Sequence, residues 1–183
     1  LTRELVQNSA QAIFGSHKVK HHDGRISDLS GNWHEVDFYE VISKAVDSEV
    51  TPQTKFDDLK KIAHQIGLKV DPKWIAGKLT EEIFEFVYKD KLIEPTFVMG
   101  YPVDTSPLVR EHRERKGVAE KWDLYIDGFE LATGYSELID PVIQRERLVE
   151  QAKLGAKGDL EAMQVDEDFL RAMEHGMPPM GGM

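Results

Sequence analysis

The dipeptide Asp127-Gly128 constrains this chain more than any other feature. It lies inside "WDLYIDGFELATGYSELIDP", Trp122 to Pro141, between two aromatic and apolar runs. Asp-Gly in that setting is the strongest short signal for a β-hairpin, because both residues tolerate the positive φ of a two-residue turn. The turn sets a register. It places Ile126 opposite Phe129, Tyr125 opposite Glu130 and, on regular strands, Asp123 opposite Ala132. Opposed residues share a face, and side chains alternate along each strand. Asp123, Tyr125, Glu130 and Ala132 are therefore expected on one face, with the two acids as diagonal neighbours roughly 7–8 Å apart between Cα atoms.

Two carboxylates so placed repel one another unless a cation lies between them. An all-oxygen pair suits Mg²⁺, which takes one or two carboxylates plus substrate phosphates. The competing reading is that these acids face water, as acids on hairpins usually do. Around them stand Trp122, Leu124, Tyr125, Phe129, Leu131 and Tyr135, which leave few positions dedicated to solvent. Glu137 lies an odd number of residues beyond Glu130, so on a regular strand it faces the other way. Gly134 in "ATGY" marks the expected irregular step, one that brings Thr133, Tyr135 and Glu137 round to the same side.

The rest of the chain bounds the setting. Its 183 residues, 31% charged and 40% hydrophobic, fit one well-cored soluble domain or one domain with a small insertion. A net charge of −10 argues against a broad nucleic-acid surface while leaving room for a local basic patch. The lack of cysteine excludes disulfides and thiolate metal sites, and fits a reducing compartment. No apolar run approaches the ~20 residues of a membrane span. "LTRELVQNSAQAIFGS" has no signal-peptide pattern, so a cytoplasmic setting is expected. The chain opens inside a helical pattern and ends in a Gly-rich turn, "HGMPPMGGM". It reads as a piece of a longer protein.

The expected fold class is α+β, in three regions. Residues 1–38 carry a helix with Leu5, Ala12 and Ile13 at helical spacing, stopped by Gly15, then a hairpin at Asp23-Gly24 and a strand in "WHEVDF". Residues 39–93 read as a helical insertion. "DFYEVISKAV" is capped by Asp37, "TKFDDLKKIAHQIGL" ends at Gly67, "VDPKWIAGK" reads as a short linker helix, and "LTEEIFEFVYKDKL" starts at Thr80. Residues 94–183 hold the strand "PTFVMGYP", a charged irregular segment and the hairpin. They continue with a helix opened by Asp140 and Pro141, and a last helix between Asp166 and Gly176. The cluster His21-His22-Asp23 lacks a third ligand at zinc spacing and reads as an exposed tip. The one basic-rich run is "REHRERK", Arg110 to Lys116. It reads as a solvated loop or as a functional contact, with Arg110 its most plausible functional member.

In the blocks "DTSPL", "ELATGYSELIDP" and "DEDFLRAMEHGMPP", occurring in that order, the chain resembles the lysyl-tRNA synthetase family of class II aminoacyl-tRNA synthetases. The likeness is to the C-terminal half of the catalytic domain. It is near-continuous from Glu94 to Met183 and looser over Leu1 to Lys91. It implies an antiparallel β-sheet of class II synthetase type, partial here, flanked by helices and carrying a helical insertion. It implies activation of lysine by ATP to lysyl-adenylate, transfer to tRNA, Mg²⁺ as the metal and a homodimeric parent.

The resemblance also assigns residues. Asp123 and Glu130 fall on the metal-binding acids, with Asp123 where the family usually has Glu. Glu137 falls on the acid that receives the substrate ε-ammonium. Tyr135 lines that pocket, and Thr133 stands at a substrate-contacting position usually held by Asn. No catalytic residue is assigned within the chain. The family's first two motifs fall before Leu1 and its third after Met183, so the chain alone is expected not to form adenylate. Two alternatives stay open. One is a non-catalytic synthetase-like paralogue or interaction module. The other is an aspartyl or asparaginyl relative, which would want a cation or amide where Glu137 stands.

Overall fold

A computed structural model describes residues 1–156, 158 and 162–183. The chain is α+β. Helix α1 (Thr2–Phe14) ends where Gly15 takes a left-handed φ of 67°. Strands β1 (Lys18–Lys20) and β2 (Ile26–Asp28) form a separate small hairpin. Strand β3 (His34–Asp37) leads into α2 (Phe38–Val46), α3 (Phe56–Ile66) and α4 (Ala76–Val87). Strands β4 (Thr96–Met99), β5 (Lys121–Ile126) and β6 (Phe129–Ser136) follow. Then come α5 (Pro141–Ala156), α6 (Glu167–Glu174) and β7 (Gly181–Gly182).

The main sheet has the order β3-β4-β5-β6-β7. It is antiparallel from β4 to β7, as expected, while its edge strand β3 runs parallel to β4. The parallel edge follows from the connection, since a crossover through several helices returns the chain in its starting direction. The tail "HGMPPMGGM" is more than a turn, because Gly181 and Gly182 pair with Ser136 and Tyr135 as β7. A Cβ at Gly181 would meet the Tyr135 carbonyl oxygen at 2.9 Å, so glycine is what permits this approach.

Each face of the sheet carries a different layer. One face presents Phe97, Trp122, Leu124 and Ala132 to Ala10, Leu29 and Trp33 of the N-terminal segment. The other presents Val98, Tyr101 and Tyr125 to Phe38, Ile42, Ile83 and Phe84 of the helical layer. Phe38 lies 4.7 Å from Tyr101 and 4.9 Å from Phe84 between ring centroids, which locks helix to sheet. In α1 the inward residues are Val6 and Ala10, while Leu5, Ala12 and Ile13 face outward. Helical spacing finds an apolar stripe, but the hairpin and Trp33 decide which stripe is covered.

Acids cap α2, α5 and α6, whereas Leu1 before α1, Lys55 before α3 and Ile75 before α4 supply no side-chain acceptor. Asp37 Oδ1 accepts from the Tyr39 and Glu40 N–H groups at the start of α2, and Asp166 does the same for α6. Helix α4 begins at Ala76 rather than Thr80 and absorbs the last three residues of the expected linker helix, whose first six are not helical. Its N-cap Ile75 has no side-chain acceptor. The Asp104 carboxylate supplies one from a distant loop, accepting from the Gly77 N–H at 3.1 Å.

Candidate active-site face of the hairpin

The site is built on β5 and β6, so the hairpin register decides it. Asp127 and Gly128 take φ values of 55° and 74°, the two left-handed positions the turn needs. The tip is tied down. The Asp127 N–H donates to Ile93 O at 2.9 Å and the Gly128 N–H to Leu92 O at 2.8 Å. The Asp127 carboxylate accepts from the Ser27 hydroxyl and lies 3.1 Å from His21 Nε2. His21 uses that same nitrogen toward Ser27 Oγ, at 2.6 Å. A hydrolytic relay needs both ring nitrogens of its histidine, so this trio is a latch between hairpins.

Tyr125 pairs with Glu130 as expected, but Leu124 then pairs with Ala132, Asp123 with Thr133 and Lys121 with Tyr135. Leu131 is the extra residue of a β-bulge. Two expectations are thereby corrected. Asp123 opposes Thr133 rather than Ala132, and the break in alternation, which does lie between Glu130 and Tyr135 as expected, falls at Leu131 rather than at Gly134. The physical reason is packing on the opposite face, where small Ala132 and Gly134 come to lie beside Leu124 and Trp122. A Cβ on Gly134 would stand 2.3 Å from the Trp122 ring. Gly134 therefore serves close approach, not an irregular backbone.

The bulge consumes one residue between Glu130 and Glu137, so the interval becomes even. Lys121, Asp123, Tyr125, Glu130, Thr133 and Tyr135 share one face. Glu137 continues that alternation and bridges to Val109. All five residues singled out in the sequence thus face the same side.

Asp123 is 2% exposed. Its Oδ2 pairs with Lys121 Nζ at 3.0 Å, and its Oδ1 is buried without a hydrogen-bond partner. The Tyr101 hydroxyl is buried beside it and near Tyr125, yet outside hydrogen-bonding geometry with either. Burial raises the Tyr101 and Tyr125 phenols well above the usual range, so both stay protonated. The Glu130 carboxyl is raised by burial and then by the neighbouring Asp123 charge. Among the described residues, its one side-chain hydrogen bond, from Tyr125 Oη at 3.5 Å, is long and weak. Among the described residues, the half-buried Glu137 carboxylate has no partner, while its N–H donates to Met180 O at 3.0 Å.

The acid pair fits a divalent cation bound together with a ligand. An orphaned, buried carboxylate oxygen on Asp123 is the observation that carries this. Among the described residues, no group of three or more His, Asp or Glu side chains is placed to hold a metal by itself. Further oxygens would come from the ligand, as phosphates supply for Mg²⁺.

Two residues escaped sequence reasoning. Lys121 was legible, since it lies two residues before Asp123 and alternation places it on the same face. Glu81 on α4 was not, because its contact is long-range. The Thr105 hydroxyl donates to Glu81 Oε1 at 2.6 Å, and burial pushes the Glu81 carboxyl up to about 7. The basic run proves to be stapled to the fold. Arg115 pairs with Asp37, Arg113 with Glu120 at 3.4 Å, and the Arg110 backbone N–H donates to Ser136 O at 2.8 Å. A cavity of about 850 Å³ lies elsewhere, between α5 and the 103–107 segment, with Ile75, Val103, Val149 and Leu154 in its wall. None of the acidic-face residues lines it.

The chain is 57% identical over its whole length to a lysine–tRNA ligase of Kineococcus radiotolerans, and spans 37% of that protein. It is 50% identical over its whole length to a lysine–tRNA ligase of Mycolicibacterium gilvum, again spanning 37% of it. It is also 47% identical, over 99% of its length, to the Mycobacterium avium lysylphosphatidylglycerol biosynthesis bifunctional protein LysX, spanning 16% of that protein. A family model for tRNA synthetases class II (D, K and N) matches residues 1–183, and the chain belongs to that family.

Proposed function

We propose that the protein carrying this chain is a lysine–tRNA ligase, activating lysine with ATP and transferring the lysyl group to tRNA. The observation that carries the reading is the unpartnered Glu137 carboxylate on the same face as the buried Asp123–Glu130 pair. A lysine side chain ends in a compact cation with three donors, and a partly desolvated cation needs an anion. Glu137 is placed to accept that ammonium. Tyr135 stands beside it on the strand face as a wall for the aliphatic stem, and Thr133 offers a hydroxyl toward the substrate. Asp123 and Glu130 would hold Mg²⁺, which supplies charge stabilisation to ATP phosphates when bound. Tyr101 and Tyr125, kept protonated by burial, offer neutral donors beside those acids. The aspartyl and asparaginyl readings fare worse, because an unpaired Glu137 repels an anionic aspartate and offers no donor to the oxygen of an asparagine amide.

The same reading takes lysine, ATP and a lysine-accepting tRNA as partners, a homodimeric parent and a cytoplasmic location. Among the described residues, no helix is long and apolar enough to cross a membrane. A second reading rests on the M. avium relative, whose name describes lysylphosphatidylglycerol biosynthesis and a bifunctional protein. The destination of the lysyl group separates the two. The test is lysine-dependent ATP–pyrophosphate exchange by the full-length protein, followed by acylation of tRNA with and without phosphatidylglycerol vesicles. Exchange with lysine and none with aspartate is expected, and residues 1–183 alone are expected to be inactive. Absence of exchange in the full-length protein would favour a non-catalytic relative.

A further inference from the structure

Among the described residues, Lys121 is the one cation placed by the strand itself on the acidic face. Its ammonium lies 3.0 Å from Asp123 Oδ2 and 4.5 Å above the Tyr101 ring, so an anion and an aromatic face hold it together. It also bears on Glu130, whose carboxyl feels its positive charge. Asp123 is almost wholly buried, and a buried carboxylate without a counter-charge is strongly destabilising. Lys121 supplies that counter-charge. It does so by covering one carboxylate oxygen while leaving Asp123 Oδ1 with no partner. A divalent cation seeks the same carboxylate at about 2.1 Å, and two cations on one carboxylate repel. The Lys121 side chain is 22% exposed against 3% for Asp123, so it has an exit to solvent that the acid lacks.

We propose that Lys121 is a positioning residue of the acidic face, an internal cation that holds Asp123 in place and yields when a divalent cation arrives. The inference rests on the metal reading above. Its consequence is that metal binding without nucleotide is weakened by the need to displace Lys121. The metal then gathers on this face mainly together with a phosphate-bearing substrate, which adds ligands of its own.

The test uses Mn²⁺ as probe, by electron paramagnetic resonance, on the full-length protein without nucleotide. Lys121→Met keeps the stem and removes the charge. It is expected to bind Mn²⁺ roughly tenfold more tightly, the fold-change equivalent to about 1.4 kcal/mol of displaced charge-assisted hydrogen bond. Lys121→Arg keeps a cation and is expected to bind Mn²⁺ no more tightly than wild type. A second measurement needs no variant. Acetylation of the Lys121 amine by acetic anhydride, read by peptide mass spectrometry, is expected to rise several-fold when Mn²⁺ saturates the protein. Equal or weaker Mn²⁺ affinity in a folded Lys121→Met protein overturns the inference alone, and so does unchanged Lys121 labelling at saturating Mn²⁺. If neither wild type nor Lys121→Met binds Mn²⁺ without nucleotide, the inference fails; the metal reading fails as well only if neither binds Mn²⁺ when ATP is present.

Discussion

Replacing Gly134 by alanine separates two explanations of the hairpin. If glycine is there for an irregular backbone, the penalty belongs to the main chain. If it is there for close approach, the penalty belongs to Trp122. The structure supports the second. Gly134 has no left-handed φ, and its built Cβ would lie 2.3 and 2.5 Å from two Trp122 ring atoms and 3.0 Å from the Gly182 carbonyl oxygen. The ring cannot simply swing aside, because it packs edge-on against Phe97 with centroids 5.1 Å apart. Overpacking of this kind costs about 1–3 kcal/mol, and a disturbed aromatic pair adds about 0.5–1.5 kcal/mol. Gly134→Ala is therefore expected to destabilise by about 2–3 kcal/mol, a fall in Tm of roughly 5–10 °C. Thermal unfolding followed by circular dichroism and tryptophan fluorescence measures it. The decisive comparison is a double-mutant cycle with Trp122→Leu. Removing the indole should recover about 1–2 kcal/mol of the alanine penalty, leaving the smaller cost at Gly182. An alanine penalty of the same size with either residue at 122 would falsify the close-approach account.

Other changes probe the site and its supports. Glu137→Gln in the full-length protein is expected to raise the lysine KM at least 30-fold in pyrophosphate exchange, since losing one partner of a desolvated charge pair costs about 2–5 kcal/mol. The ATP KM should move little. Glu81 gives a pH signature. Its carboxyl titrates near about 7 in the fold instead of 4.5. The folded state therefore holds a proton that the unfolded state gives up. That contribution is complete below pH 4.5 and is lost as pH rises to about 7. The Tm of wild type minus that of Glu81→Gln should fall across this window, by the equivalent of at most about 3 kcal/mol, and stay flat above it. A flat difference throughout would remove the argument that burial governs Glu81. Asp104→Ala should cost about 1 kcal/mol by stripping the remote cap from α4. The loss should appear in urea unfolding as a lower midpoint with an unchanged m-value.

Several features were legible residue by residue because their causes are local. Asp127-Gly128 can be read as a turn since few other pairs accept two positive φ values. Asp37, Asp140 and Asp166 can be read as caps because a short acid before a helix finds free N–H groups at once. The acids Asp123, Glu130 and Glu137 stood out because a strand among aromatics does not spend positions on charge without cause. Tyr135 and Thr133 came from resemblance, and their places on the shared face depend on a step that no local signal reports. Leu131 has no glycine, proline or special φ to mark it as a bulge. Helix α4 starts four residues early because its cap arrives from Asp104, far along the chain.

By itself, then, the sequence determined the hairpin, the helix boundaries set by local caps, the α+β class and the identity of the acids. Only the tertiary structure decided how those acids meet. Trp122 and Leu124 need small neighbours on the packed face, so β6 slips by one residue at Leu131. That slip turns Glu137 toward Asp123 and Glu130. Strand alternation brings Lys121 to Asp123, and the near-complete burial of Asp123 is what makes its counter-charge matter. The chemistry was written in residue types, and its geometry was set by what had to fit on the other side of the sheet.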